Sequence, residues 1–351
     1  MAVVALSHGY PPLWNMGGEV SLHRTMKAIR EDSYVLTKTD KPYTFEGIGV
    51  KQIKTPNVLD INADPKPIAE QLKELNARVV IGQNELSLPA VLAARDIGAI
   101  SIVNVHTPPK YGSGISAAML QSDYAVYNTE AAAKEWGEPE GFVLHPPTTP
   151  VANIKTNGDA YTLLSSLLNK GVEVVLELAK RYPKQRFIIV RSPAEPTHGL
   201  KDIEARVAKL PNVELHPRVA PEEVYKYFEQ TRILLVPSRY ETYGMSAIEA
   251  AGYGIPSIHV DTPHVREGIG KAAILIPPLG TEAAAKGIQL IEKDYNLYSD
   301  RSLARAEWLY VRQQTELRDL ADFIEDLKRP NEIQYRMRKK FVRLATTKYF
   351  K

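Results

Sequence analysis

The sequence predicts two doubly wound α/β domains followed by a helical tail. Three observations carry this reading. Short β-branched runs alternate with helix-period stretches along most of the chain, the pattern of successive βαβ units. The alternation breaks once, in the proline-rich His145-Pro146-Pro147-Thr148-Thr149-Pro150, and then restarts. The 351 residues also exceed what a single hydrophobic core ordinarily organises.

Taken in order, the strands of the first half are expected at residues 2–7, 33–37, 50–54, 78–81, 99–106, 124–128 and 141–144, with helices such as 19–30, 67–75 and 86–95 between them. The second half predicts strands at 161–165, 187–191, 213–216, 232–237, 256–260 and 273–276, and helices at 171–181, 221–230, 245–252 and 281–293. From residue 300 onward the chain reads as charged helix without strands. In open α/β sheets ligands bind beyond the carboxyl ends of strands, so chemistry is expected in the loops after them.

Composition narrows the chemistry. With 44% hydrophobic and 24% charged residues the chain is ordinary globular protein. It contains no cysteine, which excludes disulfides, a thiolate nucleophile and Cys-ligated metal. The N-terminal Met1-Ala2-Val3-Val4-Ala5-Leu6 lacks a basic leader, and no apolar stretch reaches membrane-spanning length, so a soluble cytoplasmic protein is expected. Charge is uneven. Residues 328–351 hold nine Lys/Arg against one acid, Glu332, while the whole chain nets +3. Such a tail either is a solvated helix docked through Met337, Phe341 and Leu344 or serves a polyanion such as nucleic acid or a membrane surface.

The richest segment runs from Pro237-Ser238-Arg239-Tyr240-Glu241-Thr242 through Tyr243-Gly244-Met245 to Ile248-Glu249-Ala250-Ala251-Gly252. It follows an apolar strand and opens a helix. The amides around Tyr243, Gly244 and Met245 would then form a helix start suited to phosphate, flanked by the carboxylates Glu241 and Glu249. In the first half, Gly17-Gly18 opens a helix after the first strand, where glycine admits a ligand close to the backbone. His106 ends a strand, Lys170-Gly171 precedes an apolar helix, and Arg191 ends another strand. A flexible lysine can neutralise phosphate without strict geometry. The sequence has no D-x-D, no G-x-x-x-x-G-K-[ST] loop and no H-x3-H spacing. His259 and His264 read as strand-end and loop residues, and Asp261 and Glu267 as exposed loop or cleft-edge residues.

The segment 237–256 resembles the donor-site signature of family 4 retaining glycosyltransferases, with its E-x7-E pair, departing from it at Gly252, where alanine is usual. The resemblance extends over most of the chain, from Ala2 to about Lys293. It implies the GT-B fold, two facing Rossmann-like domains with a cleft between them: 1–147 on the acceptor side, 148–310 for the nucleotide sugar, and 311–351 crossing back to the first domain. It implies a hexosyltransferase-type enzyme that moves a sugar from a nucleotide-diphosphate donor by a retaining, front-face reaction without a metal or other cofactor. Glu241 and His106 are implied near the donor sugar. Gly17, Gly18, Lys170, Thr242, Tyr243, Gly244, Met245 and Glu249 are implied as donor contacts, with Glu249 on the ribose. Two family features differ here: an arginine expected about five residues before Lys170 is replaced by Ser165-Ser166-Leu167, and Thr107-Pro108 follows His106 in place of aspartate. Arg191 either supplies the missing charge or is an exposed strand end. A non-catalytic nucleotide-sugar-binding module and an epimerase or phosphorylase on the same fold are the alternatives. The acceptor stays open among sugar, lipid, protein and modified DNA base, with Tyr10, Trp14, Lys110 and Tyr111 as candidate contacts by side-chain character.

Overall fold

The computed structural model describes all residues except 15, 55–63, 110–112, 153, 192–199, 220–222 and 348–351. Its contacts divide the chain into unit 1, Met1–Pro147 with Gln313–Lys351, and unit 2, Thr148–Arg312.

Unit 1 runs β1 (Ala2–Leu6), α1 (Gly17–Ala28), β2 (Asp32–Thr37), β3 (Tyr43–Phe45), β4 (Ile48–Gln52), α2 (Lys66–Glu74), β5 (Ala77–Gln83), α3 (Ser87–Ile97), β6 (Ile100–Val105), α4 (Ser113–Met119), β7 (Tyr124–Tyr127), α5 (Glu130–Glu135) and β8 (Phe142–Val143). The strands form one sheet in the order β3-β4-β2-β1-β5-β6-β7-β8, parallel except for the β3–β4 pair. The central strand β1 is apolar and buried throughout, as a parallel strand covered on both faces must be. Its period of two sorts the side chains: Val3 and Ala5 pack with Leu22 and Met26 of α1, whereas Ala2, Val4 and Leu6 pack with Ile68 and Leu72 of α2 and Ala90 of α3.

Unit 2 runs β9 (Ala160–Leu163), α6 (Val172–Arg181), β10 (Phe187–Val190), α7 (Leu200–Val207), β11 (Val213–His216), α8 (Tyr225–Phe228), β12 (Thr231–Val236), α9 (Met245–Ala251), β13 (Ser257–Val260), α10 (Pro263–Glu267), β14 (Ile274–Ile276) and α11 (Thr281–Lys293). Its six strands lie in the parallel order β11-β10-β9-β12-β13-β14. The alternation repeats in β12, where Ile233 and Leu235 meet Val175 and Leu178 of α6, while Leu234 and Val236 meet Ala247 and Ile248 of α9.

The chain then enters α12 (Tyr295–Glu325), a single helix that spans the division between the units. Its early residues Ala306 and Leu309 join the unit 2 core, and its later residues Leu317, Leu320 and Ile324 join that of unit 1. The last helix, α13 (Glu332–Thr347), packs in unit 1. Among the described residues, no helix is long and apolar enough to cross a membrane.

Three features depart from expectation. The β3–β4 hairpin was not predicted. Its two-residue turn is Glu46-Gly47, with both residues at positive φ (45° and 88°), a primed turn made without the usual Asn-Gly or Asp-Gly signal. The helix expected over 221–230 is, among the described residues, only the four-residue α8. The tail also docks by a different face. Met337, Phe341 and Leu344 are exposed, and α13 is held instead by buried Val342 and Thr346 and by Arg338, which pairs with Glu138 at 2.6 Å and donates to the Ser122 carbonyl at 2.7 Å.

Candidate functional site

Both sheets place their first strand in the interior and extend in opposite directions from it. That reversal between β9 and β12 in unit 2, and between β1 and β5 in unit 1, is where a doubly wound sheet opens a crevice at its carboxyl edge. The loops leaving β9 and β12 supply the best-formed site.

After β9 the chain makes a 3-10 turn, Leu168–Lys170, and Gly171 follows at φ 89°, which only glycine adopts without strain. A Cβ at Gly171 would stand 2.5 Å from the Pro237 carbonyl oxygen, so the two loops touch backbone to backbone. The Arg239 amide, donating to the Asn169 carbonyl at 2.8 Å, fixes them further. This brings Lys170 Nζ to 2.6 Å from Glu241 Oε1, which also accepts from the Ser238 hydroxyl at 2.8 Å. The Glu241 side chain is only 14% exposed and that of Lys170 36%, so the pair faces water chiefly on the lysine side. Thr262, the N-cap of α10, anchors the Glu241 carbonyl from the loop after β13 at 3.0 Å.

Three residues on, Gly244 caps α9 in the left-handed region (φ 87°, ψ 49°) and makes no side-chain cap. A Cβ there would collide with Nε2 of His259, a fully buried residue at the end of β13. His259 Nδ1 lies 3.1 Å from the Val260 carbonyl, and its Nε2 has no hydrogen-bond partner among the described residues. Burial lowers its pKa, with the Glu241 carboxylate opposing the shift, so the ring is neutral at neutral pH. The Tyr243 side chain belongs to the core, leaving its backbone as what it can offer a ligand. Thr242 and Met245 are half-buried on either side.

The remaining unit 2 candidates are more dispersed. Glu249 sits half-buried in α9, near Tyr253, whose hydroxyl pKa is raised by burial and then by Glu229 and Glu249. The Arg191 guanidinium is paired with Glu204 of α7 and is not placed beside Lys170 among the described contacts. Asp261 holds Arg266 through two 2.6 Å bonds.

In unit 1 the corresponding strand ends carry Gly17-Gly18, Gln83 and His106. Gly18 is not left-handed, and a Cβ on it would stand 3.4 Å from Gln83 Nε2, an ordinary contact. The backbone therefore does not demand glycine there, and the small residue leaves room above α1. Gln83 is buried, and its Nε2 has no partner among the described residues. His106 follows β6 directly, in a loop fixed by Trp136 Nε1 donating to the Thr107 carbonyl at 2.9 Å. Part of the residue reaches the surface, but Nε2 is shielded, and burial lowers the pKa to about 4. The sequence suggested a group titrating near neutrality; the structure makes His106 a neutral imidazole instead. Tyr10 is corrected too: it is a core residue, 1% exposed, bonded to His23 Nδ1 at 2.9 Å. Trp14 is half-buried against Gly9 and His8. Lys110 and Tyr111 lie outside the described residues.

Sequence reasoning passed over Ser238, His259 and Thr262 as site residues. Ser238 lay inside the quoted motif, and Thr262 before Pro263 is a readable N-cap signal; nothing in the sequence pairs His259 with Gly244. It also passed over Glu19, buried in the first turn of α1. Burial lifts its carboxyl to about 7, its own backbone amide opposing and the Glu85 charge adding to the rise. An acid with a raised folded pKa binds its proton more tightly when folded, so this contribution is full at low pH and lost as pH rises through 7. Glu19→Gln is therefore expected to be more stable than the parent protein by about 2–3 kcal/mol near pH 8. Near pH 4, below the ordinary carboxylate pKa, the gain should be largely gone, and melting curves at the two pH values check it.

With this geometry in hand, comparison with known proteins identifies the fold. The fold is that of the GT-B glycosyltransferases. Residues 161–294, which contain the Lys170–Glu241 pair and Gly244, match the family model Glycosyl transferases group 1. HepE of Anabaena, solved with UDP and glucose, superposes with a TM-score of 0.75 at 14% identity, over 93% of this chain and 99% of that one. Sucrose-phosphate synthase from Thermosynechococcus elongatus gives a TM-score of 0.76 at 14% identity, over 92% and 98%. Trehalose-6-phosphate synthase OtsA gives 0.71 at 12% identity, over 94% and 100%. No curated protein sequence matches the chain.

Proposed function

We propose that the protein is a retaining glycosyltransferase that moves a sugar from a nucleotide-diphosphate donor to an acceptor hydroxyl. One observation carries the reading: Lys170 and Glu241 meet at the switch point of the unit 2 sheet, beside a left-handed Gly244, within the segment that matches Glycosyl transferases group 1. The UDP-containing HepE structure supports a nucleotide-sugar donor.

In this mechanism the donor diphosphate lies against Lys170 and the Gly244–Met245 amides, which meet the charge that develops as the bond from the anomeric carbon to the phosphate oxygen breaks. The acceptor oxygen bonds to the same carbon from the leaving-group side, and its proton passes to the departing phosphate oxygen. Glu241, held by Ser238 and Thr262, orients the sugar. Neutral His106 offers a hydrogen bond to a sugar hydroxyl, and Glu249 takes the ribose. Gly17 and Gly18 leave room for the donor over α1. Arg191, engaged with Glu204, would contribute only after exchanging that partner.

The test is a thermal-shift screen of nucleotide sugars with the intact chain, followed by mass spectrometry and NMR of the products. A stabilising donor that is turned over with its anomeric configuration retained is expected. Isomerised donor, or binding without turnover, would identify an epimerase or a binding module instead. Lacking D-x-D, the site is expected to hold its donor without a divalent ion, so rates should survive chelator. Loss of activity restored by Mn²⁺ or Mg²⁺ alone would refute that point.

A further inference from the structure

The basic helix α13 has two faces, and among the described residues one of them is docked in unit 1. On the docked face, Val342 is completely buried among Met119, Tyr127 and Trp136. Arg338 pairs with Glu138, whose other carboxylate oxygen accepts from Tyr127 Oη at 2.6 Å. The helix backbone comes so near that a Cβ on Gly137 would stand 2.8 Å from the Phe341 carbonyl. The Tyr335 hydroxyl donates to the Gln121 carbonyl at 3.2 Å. The rotation of α13 about its axis is thus fixed.

That rotation turns four large apolar side chains outward. Ile333, Met337, Phe341 and Leu344 are 71%, 55%, 46% and 63% exposed. Their spacing of four, four and three residues aligns them in one stripe along the helix. Alongside the stripe run Arg336, Lys340 and Arg343, all exposed. The helix's single acid, Glu332, is paired with Arg336. Isolated exposed apolar residues are commonplace, but an aligned row of four edged by cations is a binding surface.

The pattern discriminates among partners. Nucleic acid would engage the cations and leave the apolar row in water. A second copy meeting this face symmetrically would set one basic edge against another, which like-charge repulsion disfavours. An anionic lipid surface satisfies both components, taking the apolar side chains at the acyl boundary and the cations among the headgroups. We propose that α13 is an interfacial anchor that lays unit 1 on an anionic lipid bilayer. The inference stands independently of the donor site.

Flotation of the full chain with phosphatidylcholine vesicles, with and without phosphatidylglycerol, tests it. Binding is expected only to the vesicles containing phosphatidylglycerol. Phe341→Glu combined with Leu344→Glu should abolish it, while Lys340→Gln combined with Arg343→Gln should weaken it by roughly thirty-fold. All four substituted side chains are exposed, so melting temperatures should not change. Failure to float with either vesicle overturns the proposal, as does binding that survives Phe341→Glu with Leu344→Glu. Duplex DNA binding without vesicle binding would overturn it in favour of nucleic acid, and self-association without vesicle binding in favour of a second copy.

Discussion

Glu241→Gln and Lys170→Ala are each expected to lower kcat/KM for sugar transfer by about 100- to 1000-fold, the usual cost of removing one preorganised group from a site of developing charge. The physical basis is their 2.6 Å contact. Glutamine keeps the Ser238 hydrogen bond but loses the charge that sets Lys170 in place, and alanine leaves Glu241 without its cation. Because each holds the other, the double variant should cost much less than the product of the two losses. Stability should change by less than about 1 kcal/mol, since Lys170 is partly solvated. Steady-state kinetics on the three variants decides the matter, and unchanged kcat/KM in both single variants would remove this pair from the donor site.

Gly244→Ala is expected to be strongly destabilising for a single added methyl. Left-handed backbone costs a non-glycine residue about 1–2 kcal/mol, and forcing a methyl into filled space costs about 1–3 kcal/mol more. The obstacle is a buried imidazole held against the Val260 carbonyl, not the end of a mobile side chain. Together these predict a melting temperature lower by on the order of 10 °C. His259→Ala in the same chain should remove the steric part and leave the backbone part. If the double variant melts no higher than Gly244→Ala alone, the collision with His259 is not the cause.

These residues show how far the sequence could be read. The strand-to-helix alternation located both sheets because a parallel strand buried on two faces, such as Ile233-Leu234-Leu235-Val236, is an uninterrupted apolar run. The proximity of Lys170 and Glu241 was accessible only through the resemblance, since they are 71 residues apart in the chain and meet because β9 and β12 are neighbours. Strand order is not a local property. The docking face of α13 was misread for a related reason: periodicity finds apolar stripes but does not say which stripe is covered. Here, Val342 is buried beside a charge pair, and the more apolar-looking row of Met337, Phe341 and Leu344 stays outside. Likewise, no pattern in the sequence announces that burial will hold His106 neutral or lift the Glu19 carboxyl to about 7.

The path of α12 bears on how the protein is made. Unit 1 is discontinuous in sequence: its sheet is complete by Pro147, but the apolar face holding Leu22, Met26 and Val35 is closed by Leu317, Leu320, Ile324 and Leu327. At ordinary translation speeds of about 5–20 residues per second, roughly ten to forty seconds separate the emergence of those two parts from the ribosome. For that interval the N-terminal sheet waits with one layer uncovered, while unit 2 emerges as one continuous segment and can close first. Vectorial synthesis thus reverses the order in which the two units mature.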